Sequence, residues 1–513
     1  MKELLFAQTL RKTEPGEGGW RRLQPSSDPV RLPVPTNKIK TPLINLIHIS
    51  DTHICDAQSP ARVEYLDRFA DPHHPAAALI GTLVGTYRAH EIFTVHVMQS
   101  MIDAINTLDL GPVTHNFIDA VLVTGDLTDN AQKNELQWCS TLMAGGVITP
   151  DSGSPHRWEG AGGERYSPFF WNPHGTPAGE SDDFPRKLYG YPEIPELLDA
   201  IRSPFVASGI KHEVLPVHGN HDALLQGTVA PDQFLHELAK SDLKIFELPD
   251  EEALRALGNV TEVGPSSYPK PVNPKHMPVT ADSSRAFVHP QSWAESFPLY
   301  EPLGQIKYWR KDYEQVSLIA LDTVNPYGGW QGSLDRKQFE WLQHQLDSLE
   351  GRLAIITSHH PLQDMFNGYT PHGQTRVLQE EIEELLRSRK EVIAWLCGHT
   401  HRHRITYFGA NPSQGFWQIE TASLIDWPQE GRIIEVFIDE ANQVCIATLP
   451  FGHQGIIHQD YSKLDISATD HLAGLSRDLS VNDWQRRGGS YAIELNEGEF
   501  IDRTALLILT DRI

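Results

Sequence analysis

The sequence predicts an α/β layered fold, and two observations carry that prediction. Short apolar, β-branched runs recur along the chain, and each halts at a polar cluster: Leu43–Ile49, Ala120–Thr124, Val214–Val217, Val316–Leu321, Leu353–Thr357 and Val392–Leu396. Runs of this length bounded by turn residues suit buried strands. Between them lie stretches with helical spacing, among them Val95–Leu108, Pro195–Ile201, Arg336–Leu349 and Thr375–Ser388. Strands alternating with helices stack as layers.

Residues 1–42 are polar and Pro-rich and are expected to form an extended lead-in. The main domain is expected over 43–454, with two breaks in its rhythm at about 145–195 and 255–300, both rich in Gly, Pro or aromatics. Long irregular segments in a compact domain serve as lids or binding loops, or else are surface insertions with their own aromatic cluster. After His401 the pattern predicts strands at Arg404–Tyr407, Gly415–Glu420, Arg432–Ile438 and Gln443–Leu449, then a polar helix within about Asp465–Arg486. The C-terminal extension, 455–513, is either a dimerisation element or a cover over the core.

Hydrophobic residues make up 40% and charged residues 21% of 513, so a large core can form without disulfides. The net charge of -24, from 43 basic and 67 acidic residues, repels polyanions. A long nucleic acid is therefore not an expected partner. Cys55, Cys139, Cys397 and Cys445 are widely spaced and form no CxxC pair, which suits free thiols in a reducing compartment. The N-terminal apolar run is short, and no stretch reaches the ~20 apolar residues of a membrane helix. The expectation is a soluble, cytoplasmic protein with no membrane span; its oligomeric state is not legible.

Five clusters carry chemistry, each just after an apolar run, where an open α/β sheet places its ligand crevice. They are Asp51-Thr52-His53, Gly125-Asp126-Leu127-Thr128-Asp129, Gly219-Asn220-His221-Asp222, Ser358-His359-His360-Pro361 and Gly398-His399-Thr400-His401. Carboxylate oxygen with imidazole nitrogen suits Mn, Fe or Zn. Alternate residues of an extended segment point the same way, so paired donors two apart can face one site. Each cluster alone is an ordinary turn. Five in this order, all after strands, are not.

In this order the clusters resemble the calcineurin-like metallophosphoesterase superfamily, over about Leu43 to His401. The block Gly332-Ser333-Leu334 leading to Gln338 and Trp341-Leu342 resembles the branch near class III cyclic nucleotide phosphodiesterases. The phrase SDTHICDAQSPARVEYLDRF is similar to a subgroup of large bacterial, especially actinobacterial, members. The resemblance implies a four-layer α/β-β/α sandwich of two mixed sheets. It implies two divalent or trivalent cations (Mn, Fe or Zn). Asp51, His53 and His401 would hold the first, Asn220, His359 and His399 the second, and Asp126 would bridge them. Asp129 stands where purple acid phosphatases carry an iron-binding tyrosine, so no tyrosinate colour is expected.

The implied activity is hydrolysis of a phosphate ester. A hydroxide shared by the two cations would attack phosphorus, and His221 would protonate the leaving group. Asp222 would orient His221 or cap a helix. His360 would lie near the substrate, or behind the metal ligands. Arg62, Arg157 and Arg165 are candidate phosphate clamps, and Trp158, Tyr166 and Trp171 could stack a base or sugar. The expected substrate is a small nucleotide-like or headgroup ester, as mono- or diester. Two alternatives are a nuclease of the same superfamily and a non-catalytic scaffold of the same fold.

Overall fold

The computed structural model describes residues 10–26, 32–71, 74, 87–249, 251, 273–297, 307–371, 373–486 and 492–512. Two six-stranded mixed sheets form its centre. The first runs Ala505–Leu509, Val444–Gly452, Glu430–Asp439, Ile39–Ile49, Ala120–Thr124, Val214–Val217 from edge to edge. The second runs Trp309–Asp312, Val316–Ala320, Leu353–Thr357, Val392–Cys397, Gln414–Glu420, Arg404–Asn411. Within each, the strands that lead into the predicted clusters pair in parallel. Their C-terminal ends therefore lie on one edge.

The period-two alternation of each strand sets the layers. Leu46, Leu122 and Leu215 of the first sheet pack with Leu318, Ile355 and Leu396 of the second in one buried cluster between the sheets. Their neighbours Ile47, Val121 and Val123 face the other way, against the helices Thr94–Ile105 and Thr469–Ser480. On the far side, Ile319, Ile356 and Trp395 face the helices Arg336–Asp347 and Gln379–Arg387. Helix, sheet, sheet, helix is the four-layer order.

The predicted elements recur with shifted ends. The expected helix Thr375–Ser388 opens instead as a short strand, Arg376–Val377, that pairs with Leu334–Asp335, and turns helical only at Gln379. Pro195–Ile201 yields one turn, Leu197–Ala200. Residues 10–12 and 23–25 of the lead-in pair as a small hairpin. The C-terminal extension covers the sandwich: Leu472, Leu475 and Leu479 are buried on the outer face, and Ala505–Leu509 adds an edge strand to the first sheet. Segment 145–195 packs Trp158, Phe170, Trp171, Tyr189 and Tyr191 into that same outer core, so these five aromatics are structural. Of the 255–300 segment, residues 273–297 are described, and there Lys275–Pro278 pairs with Leu243–Glu247; the rest lies outside the described residues.

Among the described residues no helix is long and apolar enough to cross a membrane.

Candidate metal centre

Five turns meet at the shared edge of the two sheets. Asp51 and His53 follow Ile49, Asp126 follows Thr124, and Asn220 follows Val217 on the first sheet. His359 follows Thr357, and His399 and His401 follow Cys397 on the second. The backbone turns sharply there. Asp51, His53, Asp126, His399 and His401 all adopt positive φ, between 43° and 70°. Non-glycine residues avoid this region, so five cases in one site are strain of the sort that concentrates where function fixes a geometry. Glycine permits the close approach of the turns: a Cβ on Gly125 would lie 2.5 Å from His359 Nδ1, and one on Gly398 would collide with Ser50 and Asp51.

The donors fall into two groups joined by one carboxylate. In the first, His401 Nε2 lies 3.4 Å and His53 Nε2 4.0 Å from Asp51 Oδ1, and the two Nε2 atoms face each other at 3.3 Å. In the second, His359 Nε2 lies 3.1 Å from His399 Nδ1. Asp126 Oδ2 stands between the groups, 3.6 Å from His53 Nε2 and 3.1 Å from His359 Nε2.

The outer partners fix the tautomers. His53 Nδ1 donates to Asp129 Oδ1 at 3.0 Å, His401 Nδ1 to Asp426 Oδ2 at 2.6 Å, and His359 Nδ1 to the Thr124 carbonyl at 2.8 Å. Each ring, when neutral, then turns an unprotonated Nε2 inward. Two inward lone pairs 3.3 Å apart beside the Asp51 carboxylate repel unless a cation lies among them. Asn220 makes the same point. Its Nδ2 donates to the Gly227 carbonyl at 3.0 Å, while its buried Oδ1 has no hydrogen-bond partner. A buried orphan acceptor is costly, and a second cation would satisfy it. The donor set therefore fits two metal ions.

With no cation present, the buried carboxylates and the rings that face them share charge through protons instead. Burial opposes ionisation of Asp126, but the imidazoles of His359, His221 and His53 hold it well below the usual carboxylate range. Burial also opposes a charged His359, yet Asp126 and Asp51 raise it to about 9. Burial, with His360 and His359 beside it, keeps His399 far below the usual imidazole value and so a neutral donor.

His221 borders the first group, its ring 4.5 Å from that of His53. Its Nδ1 donates to the Asp129 carbonyl at 2.6 Å, which leaves Nε2 as the ring atom open to a ligand. Burial lowers its pKa to about 4.

The remaining candidates make the following contacts. Asp222 does not orient His221: its oxygens accept from the Gly219 and Thr128 amides and the Thr128 hydroxyl, bracing one turn against another. His360 is buried with both nitrogens taken, by Thr323 Oγ1 at 2.7 Å and the Trp330 carbonyl at 2.9 Å, so it supports the site from behind. Arg62 is 1% exposed and pairs with Asp129 and Glu91, so it cannot clamp a phosphate. Arg157 pairs with Glu159, and Arg165 lies 4.0 Å over the Phe246 ring. Trp158 and Trp171 are buried, and the Tyr166 hydroxyl donates to the Ser181 carbonyl.

Sequence reasoning missed Asp426 as a partner of His401, and Trp330, whose ring stacks on His399 at 5.7 Å. Trp330 and Phe366 meet edge to face at 5.9 Å and are about two-fifths exposed, forming an aromatic rim.

Comparison with known proteins finds similarity to phosphoesterases over part of the chain. A family model described as calcineurin-like phosphoesterase matches residues 190–403. Over that stretch, somewhat under half of its length, the chain is similar to calcineurin-like phosphoesterases. The phosphoesterase match contains Asn220, His359, His399 and His401, while Asp51, His53 and Asp126 precede it. A curated relative from Arcobacter nitrofigilis, named "Probable glycerophosphodiester phosphodiesterase GpdQ", is 24% identical over 108 residues, 21% of this chain. The match spans 39% of that relative's length. Among solved structures, a dimetal phosphatase from Danio rerio aligns over 80% of this chain and 96% of its own, with a TM-score of 0.36 and 11% identity. A purple acid phosphatase from yellow lupin aligns over 84% of this chain and 54% of its own, with a TM-score of 0.32 and 10% identity.

Proposed function

We propose that this protein is a dinuclear-metal hydrolase of small phosphate esters. The observation that carries the reading is the pair of inward-facing donor groups joined by Asp126. Asp51, His53 and His401 would hold one cation, Asn220, His359 and His399 the other, and Asp126 both. When bound, two cations lower the pKa of water and neutralise charge on phosphoryl oxygens. The chain's own residues do the rest. Asp129 and Asp426 keep His53 and His401 in the tautomer that binds. His221 would serve the leaving oxygen as the imidazolium, carrying a second proton on Nε2 while the Asp129 carbonyl holds the one on Nδ1. Trp330 and Phe366 present an apolar edge beside His399, which supports an ester with a planar or apolar leaving group over a wholly hydrophilic one.

The family match and the curated relative support the phosphoesterase class. The net charge of -24 weighs against a nuclease. The presence of every ligand type weighs against a scaffold. Four buried, unpaired cysteines favour a reducing compartment, the cytoplasm. The testing experiment is a panel of p-nitrophenyl phosphate, bis-p-nitrophenyl phosphate and cyclic nucleotides on protein loaded with Mn, Fe or Zn. Turnover that depends on added metal and disappears in Asp126→Ala is expected. A fully loaded protein that hydrolyses no ester would overturn the reading.

A further inference from the structure

Behind the first donor group lies a closed run of buried charge. His53 Nδ1 meets Asp129 Oδ1 at 3.0 Å, and Asp129 Oδ2 meets Arg62 Nη1 at 2.5 Å. Arg62 Nη2 meets Glu91 Oε2 at 2.8 Å, and the same oxygen accepts from the Arg88 amide at 3.0 Å. The Arg88 side chain then ion-pairs with Asp426 Oδ1, Nε to oxygen 2.8 Å, and Asp426 Oδ2 meets His401 Nδ1 at 2.6 Å. The His53 and His401 Nε2 atoms, 3.3 Å apart, close the circuit on the first cation position. Every carboxylate and guanidinium in it is at most 9% exposed.

We infer that Arg62 and Arg88 are positioning residues of the first cation position, acting through Asp129 and Asp426. The inference rests on the proposed dinuclear site. Five carboxylates crowd this region: Asp51, Asp126, Asp129, Asp426 and Glu91. So many buried anions are stable only when paired and held in place. Arg62 spans two of them with one rigid fork, and its Nη1 also reaches Cys55 Sγ at 3.0 Å. A lysine ammonium has no such span. Fixing Asp129 and Asp426 fixes the two imidazoles: ring orientation, tautomer and basicity follow from the partner behind the ring. His90 Nε2, 3.4 Å from Asp426 Oδ1, adds a further brace. Arg62 and Arg88 come from the segment after Ile39–Ile49, and Asp426 from the turn before Glu430–Asp439. The circuit therefore ties two distant loops to one metal position, where sequence spacing gives no hint of it.

The test measures metal binding and does not depend on turnover. The full chain is titrated with Co2+ against a chromophoric chelator, and the visible Co2+ absorption is recorded, for wild type, Arg62→Lys, Arg88→Lys and Asp426→Asn. The thermal midpoint of each metal-free protein reports folding. The expected result is two binding steps in wild type. In each folded variant the tighter step weakens by about 10–100-fold with an altered Co2+ spectrum, and the looser step is unchanged. Folded variants with both steps and the spectrum unchanged would overturn the inference, even if their midpoints fall, since that is the behaviour of a purely structural network. Should Asp426→Asn fail to fold, the charge-preserving Arg62→Lys and Arg88→Lys decide the question. Wild type that takes up fewer than two Co2+ would sink the dinuclear reading itself, whereas two Co2+ with indifferent variants would sink only this inference.

Discussion

His53 and His401 lean on carboxylates, whereas His359 leans on a peptide carbonyl and Asn220 on another. The first position also has a carboxylate of its own, Asp51, where the second has only a neutral amide oxygen from Asn220 and shares Asp126. A ring backed by an anion is the more basic donor, and an extra negative ligand deepens the electrostatic well. The two ends of one centre thus differ in charge and in bracing. The lesson is that a five-motif site need not be symmetric: on the proposed reading, the first donor group would hold a cation more firmly than the second.

The comparison breaks first at the shared carboxylate. Asp126→Ala removes the one ligand common to both ends, and hydrolysis should fall by roughly 10³-fold or more, the scale of losing charge stabilisation at the reacting phosphoryl group. An assay of kcat on the best ester of the panel checks it. Asn220→Ala attacks the weaker end alone. It should lose one cation and keep the other, with kcat down by about 10²-fold; metal content per chain, measured beside activity, separates this from general unfolding. Asp129→Asn sharpens the contrast, since it removes the anion behind His53 and leaves the second end untouched. The first-position affinity should fall by about 10–100-fold, as read by chelator competition.

Trp330→Ala tests the rim on the second end. Losing a stacking partner of about 1 kcal/mol should raise KM several-fold for aryl esters and leave alkyl esters nearly unaffected; equal effects on both would remove the rim from substrate recognition. The smallest effect belongs to a third imidazole–carboxylate pair that is no metal site. His403 Nε2 meets Glu430 at 3.1 Å, and Arg432 occupies its Nδ1 at 2.9 Å, so no lone pair is left over. Burial opposes a charged Glu430, but Arg503 and His403 depress it from 4.5 to about 2. A depressed carboxylate contributes stability that is fully present above its unfolded value and is lost as pH falls through the folded one. Wild type should therefore lose thermal stability between pH 4.5 and about 2, and Glu430→Gln should flatten that part of the profile, as followed by melting curves.

Much of this was legible in the sequence. The candidate donors sit directly after apolar strands, so the short apolar runs that pointed to the sheets also pointed to the five clusters. The alternation of Leu46 with Ile47, or Ile355 with Ile356, separates the inner from the outer face of each sheet. What was hidden depends on distance along the chain. Asp426 reaches His401 from an unremarkable turn, and no spacing rule joins Glu91 to Asp129 across Arg62. Arg62 reads as a phosphate clamp because its residue type suits one, but its long side chain folds inward to neutralise buried acids. The edge strand Ala505–Leu509 was detectable by the same apolar-run rule as the others, and was obscured by the polar segments around it.

The most direct measurement is metal stoichiometry by elemental analysis on wild type and Asp126→Ala after loading and gel filtration. Two cations per wild-type chain, and fewer than one in Asp126→Ala, are predicted by a centre joined at a single bridging carboxylate. A wild-type chain that retains at most one cation, or an Asp126→Ala variant that still retains two, would contradict it.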